Sequence, residues 1–298
     1  MRSIAIIFNQ RSGILSRLEE LQKNCIELSN ELYHIEIYEV QEGDNIPEIA
    51  KHYIARKFDT IAAAGGDGTV NAVGCALINT QCRLGILPLG TFNHLAKDLG
   101  ISTDLSLAFR TLTNEGKEII IDAASCNKTI FFNNSSLGIY PKVVHLREKY
   151  QSWGKLKWTA FFFAVIEVIT RLPNIFISFE AGGRKISRRT PFLFVGNNAY
   201  KLTGVGLGTR SSLSSGNLSV WLIHSTSFGG MLGLLRIMLS VIVKEDRELD
   251  TFYPQEVIIE TVPSRLSVSY DGEVLEADSP FHYKILPQCL RVIVPEKI

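Results

Sequence analysis

The chain has 298 residues, of which 46% are hydrophobic and 20% are charged, and its formal net charge at pH 7 is +1. That length suits one large domain or two ordinary ones, and the composition is that of a globular protein with a sizeable core. A net charge near zero gives no global field that would attract nucleic acid. The five scattered cysteines form no CxxC pair, which argues against a disulfide framework or a zinc site and favours a reducing, cytoplasmic location.

The first 120 residues alternate between strand-like and helix-like segments. Apolar runs predict strands at 3–8, 34–40, 58–64 and 83–89. Amphipathic stretches predict helices at 14–32, 46–56, 69–78 and 92–99. This alternation is typical of a parallel sheet with helices on both faces, and such sheets bind ligands at the carboxyl ends of their strands.

After about residue 117, strand-like runs separated by turn signals dominate. They predict strands at 118–124, 129–135, 175–181, 190–197, 218–223, 256–261, 265–273, 281–286 and 290–295. Helical stretches near 141–171 and 227–244 interrupt them. The pattern predicts a β-rich second domain after a hinge near 120–128. Neither helical stretch supplies the roughly 20 apolar residues of a transmembrane helix, so we expect a soluble protein that can touch a bilayer.

Three loops that contain glycine beside a small hydroxyl or amide side chain follow predicted strands. They are Asn9 to Gly13, Gly65 to Thr69 and Gly90 to Asn93. Glycine lets backbone N–H groups approach an anion, and a helix N-terminus favours phosphate. Three such loops at one sheet edge predict a polyphosphate ligand. The chain has no Walker A pattern, which disfavours a P-loop fold.

Asp67 is the carboxylate inside the second loop, "GGDGT". A carboxylate beside phosphates repels them unless a cation lies between, and Mg²⁺ accepts one or two carboxylates together with phosphate oxygens. Asp67 is therefore a candidate magnesium ligand beside the terminal phosphates of a nucleotide. The simpler alternative is a tight turn in which the aspartate caps a helix.

Asp271 and Glu273, in the stretch "SYDGEVL", form a second acidic candidate site. On one strand both side chains would point to the same face, and such a pair could supply a general base. An ordinary Asp-Gly hairpin turn explains the same residues, and the local sequence alone favours this alternative.

Several motifs, taken together and in order, resemble those of a known family over nearly the whole chain. In chain order they read "NQRSG", "GGDGT", "LGILPLGTFNHLAKDLGI", "IIIDAASCNKTIFFNNSSLG" and "YDGEVL…FHYKILPQCLRVIVP". They are similar to the diacylglycerol kinase catalytic-domain family, specifically its short bacterial lipid kinases. These kinases are related to sphingosine kinases and, distantly, to NAD kinases and 6-phosphofructokinases.

The resemblance implies an α/β plus all-β architecture. A nucleotide domain like that of phosphofructokinase and NAD kinase would span residues 1–124, and a β-sandwich-like lipid-substrate domain would span 125–298. The last strand of this second domain can return to the first domain in such proteins.

The resemblance also implies roles for individual residues. ATP would contact Asn9, Gln10, Arg11, Ser12, Gly13, Gly65, Gly66, Asp67, Gly68, Thr69, Val70, Asn71, Ala72, Thr91 and Asn93. Asp67 would meet Mg²⁺, and either Asp271 or Glu273 would accept the proton of the lipid hydroxyl. Asp122 and Lys97 would belong to a supporting polar network.

Two positions depart from the family pattern. His94 stands where the family often has an aspartate, and Ser215 stands where an aspartate would help to hold a structural Mg²⁺. These departures leave a weakly catalytic relative that binds nucleotide and lipid as one alternative function. An NAD kinase is the other alternative, although no Asn-Glu pair was found that would recognise the acceptor nucleotide.

The predicted function is an ATP- and Mg²⁺-dependent lipid kinase that acts on diacylglycerol or a related lipid, such as phosphatidylglycerol or a sphingoid base. Basic and aromatic residues at 145–166 and a basic cluster at 184–189 suggest peripheral contact with the inner face of a membrane, although solvated segments explain both features too. No nucleic-acid partner is expected. The oligomeric state stays open, with a homodimer as one option.

Overall fold

The computed structural model describes residues 2–9, 21, 23, 33–113, 116–138, 175–181, 183–201, 209–210, 212–223 and 249–296. Outside this described part lie the predicted helices at 141–171 and 227–244, nearly all of the one at 14–32, and residues Gln10 to Gly13. The chain forms two compact units. Unit 1 comprises Met1–Ile121 and Pro287–Ile298, and unit 2 comprises Asp122–Leu286.

Unit 1 is built on a parallel sheet. Its strands β1 (Arg2–Phe8), β2 (Tyr33–Glu39), β3 (Thr60–Gly65) and β4 (Arg83–Pro88) lie in the order β2-β1-β3-β4. Every neighbouring pair among them is parallel. β3 is buried along its whole length, as expected for a parallel strand that is covered on both faces. The late strand β18 (Phe281–Pro295) joins this sheet, because its Arg291 pairs in parallel with Arg83.

The helices of unit 1 with described bounds are α1 (Ile46–Ala55), α2 (Asp67–Leu77), α3 (His94–Asp98) and α4 (Leu105–Thr113). α1 begins after Asn45, whose side chain accepts a hydrogen bond from the amide of Glu48. α4 is missing from the predicted elements, although Leu105, Ala108 and Leu112 are buried at helical spacing. None of the helices in the described part is both long and apolar enough to cross a membrane.

Unit 2 is rich in strands, and the chain enters it within β5 (Gly116–Cys126). The further strands are β6 (Thr129–Phe131), β7 (Asn134–Gly138), β8 (Ile175–Ala181), β9 (Arg184–Thr190), β10 (Phe192–Asn197), β11 (Tyr200–Lys201), β12 (Thr209–Arg210), β13 (Leu218–Ile223), β14 (Leu249–Phe252), β15 (Glu256–Val262), β16 (Arg265–Tyr270) and β17 (Glu273–Asp278). One antiparallel sheet has the order β14-β13-β10-β7-β16-β17. A second sheet in unit 2 contains the first part of β18 followed by β15, β8 and β9.

Four predicted strands of the second half are wrong in their bounds. The stretch 129–135 is two strands, β6 and β7, and the stretch 265–273 contains a strand, a turn and the start of β17. The stretches 281–286 and 290–295 are parts of one strand, β18. The predicted combination of an α/β domain with an additional β-sheet domain is nevertheless confirmed.

The core of unit 2 lies between its two sheets. Leu137, Leu193 and Val268 of the six-stranded sheet belong to the same buried cluster as Ile177 and Ile259 of the other sheet. Alternate residues of each strand supply this core, as a two-layer β-architecture requires.

The other face of the six-stranded sheet carries a row of polar and aromatic side chains. Ser269, Ser136, Phe194 and Trp221 lie opposite one another across four neighbouring strands, and each is at most 2% exposed. Within the described residues, the hydroxyls of both serines and the indole nitrogen have no hydrogen-bond partner, and neither has the hydroxyl of Ser219 on the same face.

Candidate functional site

Three loops of unit 1 meet at the carboxyl ends of neighbouring strands. Asn9 follows β1, Gly65 ends β3, and Gly90 lies shortly after β4. The backbone N–H of Asn9 donates to the carbonyl oxygen of Ala64 at 2.9 Å, and that of Leu89 donates to the carbonyl oxygen of Gly65 at 2.9 Å. Loops that are far apart in the sequence therefore form one loop cluster, which we define as Asn9, Gly65–Thr69 and Gly90–Asn93.

Glycines allow the loops of this cluster to pack against each other. A Cβ atom on Gly90 would lie 2.5 Å from the Cα atom of Gly66, which is far inside normal contact distance. A Cβ atom on Gly65 would lie 2.5 Å from the hydroxyl of Thr69. That hydroxyl accepts a hydrogen bond from the Asn9 side chain at 3.1 Å. The glycines are therefore needed by the fold as well as by any bound anion.

Asp67 joins the second loop to the third. Its carboxylate accepts one hydrogen bond from the backbone N–H of Asn93 at 2.9 Å and another from that of His94 at 2.7 Å. Asp67 is itself in the first turn of α2, yet the amides that it binds are at the start of α3. The structure is therefore compatible with both roles suggested by the sequence, a magnesium ligand and a helix cap, because each carboxylate oxygen has a further lone pair.

Asn93 fixes the shape of the third loop. It adopts the left-handed backbone region with φ of +51°, which asparagine tolerates better than most residues. Its buried side chain accepts a hydrogen bond from the N–H of Gly90 at 3.0 Å and donates to the carbonyl oxygen of Gly90 at 2.8 Å. The loop from Gly90 to Asn93 is consequently closed on itself.

The other predicted nucleotide-binding residues of the described part differ in exposure. Gly68 and Thr91 are exposed, Asn71 and Ala72 are half-buried, and Val70 is buried. Lys97 is exposed on α3.

Two aromatic side chains of the third loop were not among the predicted site residues. The ring of Phe92, which is 56% exposed, lies nearly parallel to the imidazole of His94, with an angle of 7° and a centroid distance of 5.6 Å. The sequence shows the spacing Phe-x-His beside a glycine loop, but no local pattern predicts that the two rings lie parallel.

Asp271 lies in a tight hairpin turn of unit 2. It has a φ of +48°, Gly272 has a φ of +94°, and Tyr270 pairs with Glu273 across the turn. The Asp-Gly hairpin suggested by the sequence is therefore what the structure contains, and the two acidic residues do not alternate along one strand. Glu273 is exposed at the start of β17.

The carboxylate of Asp271 holds the loop between β6 and β7. One oxygen accepts a hydrogen bond from the N–H of Phe132 at 2.8 Å, and the other accepts from the N–H groups of Asn133 at 2.8 Å and Asn134 at 3.1 Å. The backbone N–H of Asp271 in turn donates to the carbonyl oxygen of Asn134 at 2.9 Å. Sequence reasoning missed this clamp because its partners are far from Asp271 along the chain.

Asp122 lies in a buried polar network of unit 2. It is 1% exposed, and one of its carboxylate oxygens accepts a hydrogen bond from the N–H of Gly216 at 2.8 Å. The Asn197 side chain donates to the carbonyl oxygens of Asp122 and Phe132 at 3.0 and 2.9 Å. The network therefore connects β5, the end of β10, the loop after β6 and the loop before β13.

Ser215 does not offer the donor set of a metal site. Its backbone N–H and its hydroxyl both donate to the side-chain oxygen of Asn198, at 2.6 and 2.8 Å. Over the residues that the structure describes, no group of three or more His, Cys, Asp and Glu side chains could hold a metal ion. At the position where the family resemblance implies a structural Mg²⁺, Ser215 is hydrogen-bonded to Asn198, and the carboxylate of Asp122 accepts the N–H of the neighbouring Gly216.

Comparison with known proteins identifies the family. Residues 3–126, which include the whole loop cluster, match the family model of the diacylglycerol kinase catalytic domain. Over these residues, the chain is similar to the diacylglycerol kinase catalytic-domain family. The prediction of this family from the motifs is thereby confirmed.

Two relatives and one solved structure illustrate the similarity. A protein of Synechocystis sp. (strain ATCC 27184 / PCC 6803 / Kazusa) is 26% identical over 79% of this chain and 54% of its own length. A diacylglycerol kinase of Staphylococcus aureus (strain bovine RF122 / ET3-1) is 26% identical over 64% of this chain and 61% of its own length. The chain thus matches little more than half of the length of these curated relatives.

The crystal structure of a diacylglycerol kinase from Bacillus anthracis str. Sterne has the same fold. It superimposes with a TM-score of 0.71 over 99% of this chain and 97% of its own, at 19% sequence identity. The fold is therefore kept at a level of identity where few side chains are shared.

Proposed function

We propose that this protein is an ATP- and Mg²⁺-dependent lipid kinase, which transfers the γ-phosphate to a hydroxyl of diacylglycerol or a related lipid. The observation that carries the proposal is the loop cluster, in which Asn9 and two glycine loops meet at the carboxyl ends of adjacent parallel strands beside Asp67. The match of residues 3–126 to the diacylglycerol kinase catalytic domain supports it. The relatives named as diacylglycerol kinases do not favour the NAD kinase alternative.

The chemistry needs positioning and charge neutralisation more than covalent catalysis. In phosphoryl transfer the enzyme mainly aligns donor and acceptor and stabilises the charge on the phosphoryl oxygens. The N-terminus of α2, which has eleven residues and begins at Asp67, offers backbone N–H groups and a favourable dipole to a phosphate. Gly68 is exposed there, so a phosphate can approach the backbone closely.

Asp67 has the donor chemistry to hold Mg²⁺. Its carboxylate is half-buried and accepts two backbone hydrogen bonds, which leaves lone pairs on both oxygens. Mg²⁺ typically takes one or two carboxylates together with phosphate oxygens and water. When bound, the ion would neutralise charge on the phosphates, while Asp67 also keeps the second and third loops together.

Asp271 and Glu273 are the proposed source of the proton acceptor for the lipid hydroxyl. They differ in their surroundings, because Asp271 accepts three backbone hydrogen bonds whereas Glu273 is exposed. Loss of activity in an Asp271 variant would therefore mix catalytic and structural effects. Glu273→Gln changes the chemistry of an exposed carboxylate without removing a clamp, which makes it the cleaner test.

Peripheral membrane contact is part of the proposal and rests on β9. Lys185 and Arg189 are exposed on the same face of this strand, while Arg188 on the other face forms an ion pair with Asp250 at 2.7 Å. Exposed cations on a hairpin favour anionic lipid headgroups. The stretch 145–166, which also suggested membrane contact, lies outside the described residues.

The decisive experiment is a transfer assay with ATP labelled in its γ-phosphate, Mg²⁺ and detergent-dispersed lipids. We expect a labelled product in the organic phase, loss of that product in Glu273→Gln or Asp271→Asn, and full activity in Glu260→Gln, which alters an exposed glutamate on β15. Thermal unfolding of each variant separates chemical from structural loss. Nucleotide binding without any labelled lipid would overturn the kinase proposal, and transfer to NAD would replace it.

A further inference from the structure

We infer that the stacked pair of rings formed by Phe92 and His94 is the platform on which the nucleobase of the bound nucleotide stacks. The inference rests on the proposed function, since it concerns the same loop cluster. It adds a recognition element for the base to loops that otherwise suit only phosphates.

The exposure of Phe92 is the first observation. This phenylalanine is 56% exposed, and the preceding Thr91 is exposed too, whereas the following Asn93 is only 6% exposed. A single exposed apolar side chain is common on protein surfaces and needs no ligand to explain it. Here, however, the exposed ring is ordered against a second ring.

The second observation is the parallel arrangement of the two rings. The planes of Phe92 and His94 differ by 7°, and their centroids are 5.6 Å apart, which is an offset stack. Phe92 lies in the loop and His94 begins α3, so no regular backbone geometry makes their side chains parallel. A base could extend this stack on an outer ring face, in the way that bases stack on aromatic side chains of proteins that bind single-stranded nucleic acid.

The third observation is that the platform is tied to the phosphate loops. Asn93, between the two aromatic residues, closes the loop onto Gly90 through two side-chain hydrogen bonds. The backbone N–H groups of Asn93 and His94 donate to Asp67. A nucleotide whose phosphates lie on the loop cluster carries its base only one ribose away, so the base can reach rings that are held at the same loops.

Stacking predicts broad base specificity. Every nucleobase has a π-face, so an aromatic platform contributes affinity but discriminates weakly between bases. We therefore expect GTP to replace ATP with at most a several-fold loss in binding. A protein that read the base through hydrogen bonds would instead reject the wrong base strongly, because its polar groups would be left unpaired.

The test compares ligands with and without a base on the full-length protein. Binding of Mg-ADP and of Mg-tripolyphosphate is measured by calorimetry for the unmodified protein and for Phe92→Ala, Phe92→Trp and His94→Ala. Phe92→Ala should weaken ADP about tenfold, which corresponds to the usual contribution of one stacked base, and should leave tripolyphosphate unchanged. Phe92→Trp should retain ADP affinity, and His94→Ala should give a smaller loss than Phe92→Ala.

Leu107→Ala is the matched control, because Leu107 is 49% exposed on α4 in the same unit. It should change neither affinity. The inference is overturned if Phe92→Ala leaves ADP binding intact, or if it weakens ADP and tripolyphosphate equally, since the latter marks a disturbed loop. It is also overturned if Phe92→Ala lowers binding to anionic vesicles while ADP affinity is unchanged, because the ring would then contact a membrane.

The outcomes separate this inference from the proposed function. An unmodified protein that binds neither ligand would overturn both. Normal, Phe92-dependent ADP binding without transfer to any lipid would support the platform and contradict the lipid kinase. Lipid phosphorylation with ADP affinity that is independent of Phe92 would support the kinase and contradict the platform.

Discussion

Asp67 in unit 1 and Asp271 in unit 2 both use their carboxylate to hold a distant segment of backbone, but they lie in different kinds of structure. Each binds backbone N–H groups of a segment that is distant in the sequence: Asp67 binds two at the start of α3, and Asp271 binds three in the loop after β6. Asp67 lies among glycines at the edge of a parallel sheet, whereas Asp271 lies in the tight turn of an antiparallel hairpin.

The comparison shows that a residue of a candidate functional motif can also stabilise the fold. Two hydrogen bonds leave the carboxylate of Asp67 able to take part in other interactions, so a ligand can share it with the fold. The three hydrogen bonds of Asp271 and its left-handed backbone make it chiefly a clamp of the local structure. In both cases, loss of activity on mutation does not by itself assign a chemical role, and stability has to be measured beside it.

The largest expected effect is that of Asp271→Ala. The substitution leaves three part-buried N–H groups without an acceptor and places alanine at a φ of +48°, so we expect a loss of about 3 kcal/mol in the free energy of unfolding. Asp271→Asn keeps one oxygen and tolerates this backbone, and should lose about half as much. Urea denaturation measures both. Equal stabilities of the two variants would contradict the clamp.

A smaller effect is expected for Asp67→Ala. Only two N–H groups lose their acceptor, one part-buried and one exposed, so the free energy of unfolding should fall by about 1–2 kcal/mol. Mg-ADP affinity should fall as well, because the third loop is released from the second. If Asp67→Ala lost as much free energy of unfolding as Asp271→Ala, the two carboxylates would contribute equally to the fold. Asp67 would then not differ from Asp271 in being available to a ligand.

Two neighbouring serines of β7 test, with uncharged side chains, how much a hydrogen-bonded polar group contributes to the stability of the fold. Ser135 and Ser136 are both buried, but the hydroxyl of Ser135 lies 3.0 Å from that of Tyr283, whereas the hydroxyl of Ser136 has no partner within the described structure. Ser135→Ala should lower the free energy of unfolding by about 1 kcal/mol, since it removes a partner from a buried phenol. Ser136→Ala should be neutral or slightly stabilising, and thermal unfolding of the two variants compares them directly.

The smallest effect concerns Glu36, a carboxylate held by a side chain instead of the backbone. Two hydrogen bonds from Arg56, both 2.6 Å long, lower the pKa of Glu36 from 4.5 to about 2. Because the pKa is lower in the folded state, the pair stabilises the fold above about pH 4.5, and this contribution is lost as the pH falls towards 2.

Arg56→Met should therefore lower stability at pH 7, and its difference from the unmodified protein should shrink between pH 4.5 and 2. Arg56→Lys, which keeps the charge without the two-pronged geometry, should retain part of the effect. Urea denaturation at several pH values provides the measurement. A difference that stays constant with pH would instead assign the contribution of Arg56 to its packing over Tyr53 and Phe58.

The parts of the fold that follow local patterns were predictable from the sequence. The apolar runs of β1 and β3 and the Asp-Gly turn after Tyr270 carry their own signals, because burial on both faces and positive φ restrict residue choice. The motif order also identified the family. The bounds of β18 were missed, since a single strand of fifteen residues contains a polar and proline interruption that looks like a turn.

The candidate site was predictable as a set of residues but not as a set of contacts. Glycine loops after strands indicate where an anion can bind, whereas the hydrogen bonds of Asp67 to α3 join residues 26 and 27 positions apart. Likewise, the clamp formed by Asp271 depends on the loop after β6, more than 130 positions earlier. Such pairings are created by tertiary folding, and no local period or propensity encodes them.

Because Pro287–Ile298 belong to unit 1, this unit can complete its fold only after unit 2 has been synthesised. Unit 2 is one continuous stretch of chain, while the sheet of unit 1 gains its strand beside β4 only from residues near the end. During synthesis, the unit that leaves the ribosome first is therefore the one completed last. Until Arg291 and Val292 have been translated, the edge of β4 lacks its partner strand, and an unpaired strand edge can pair with other chains.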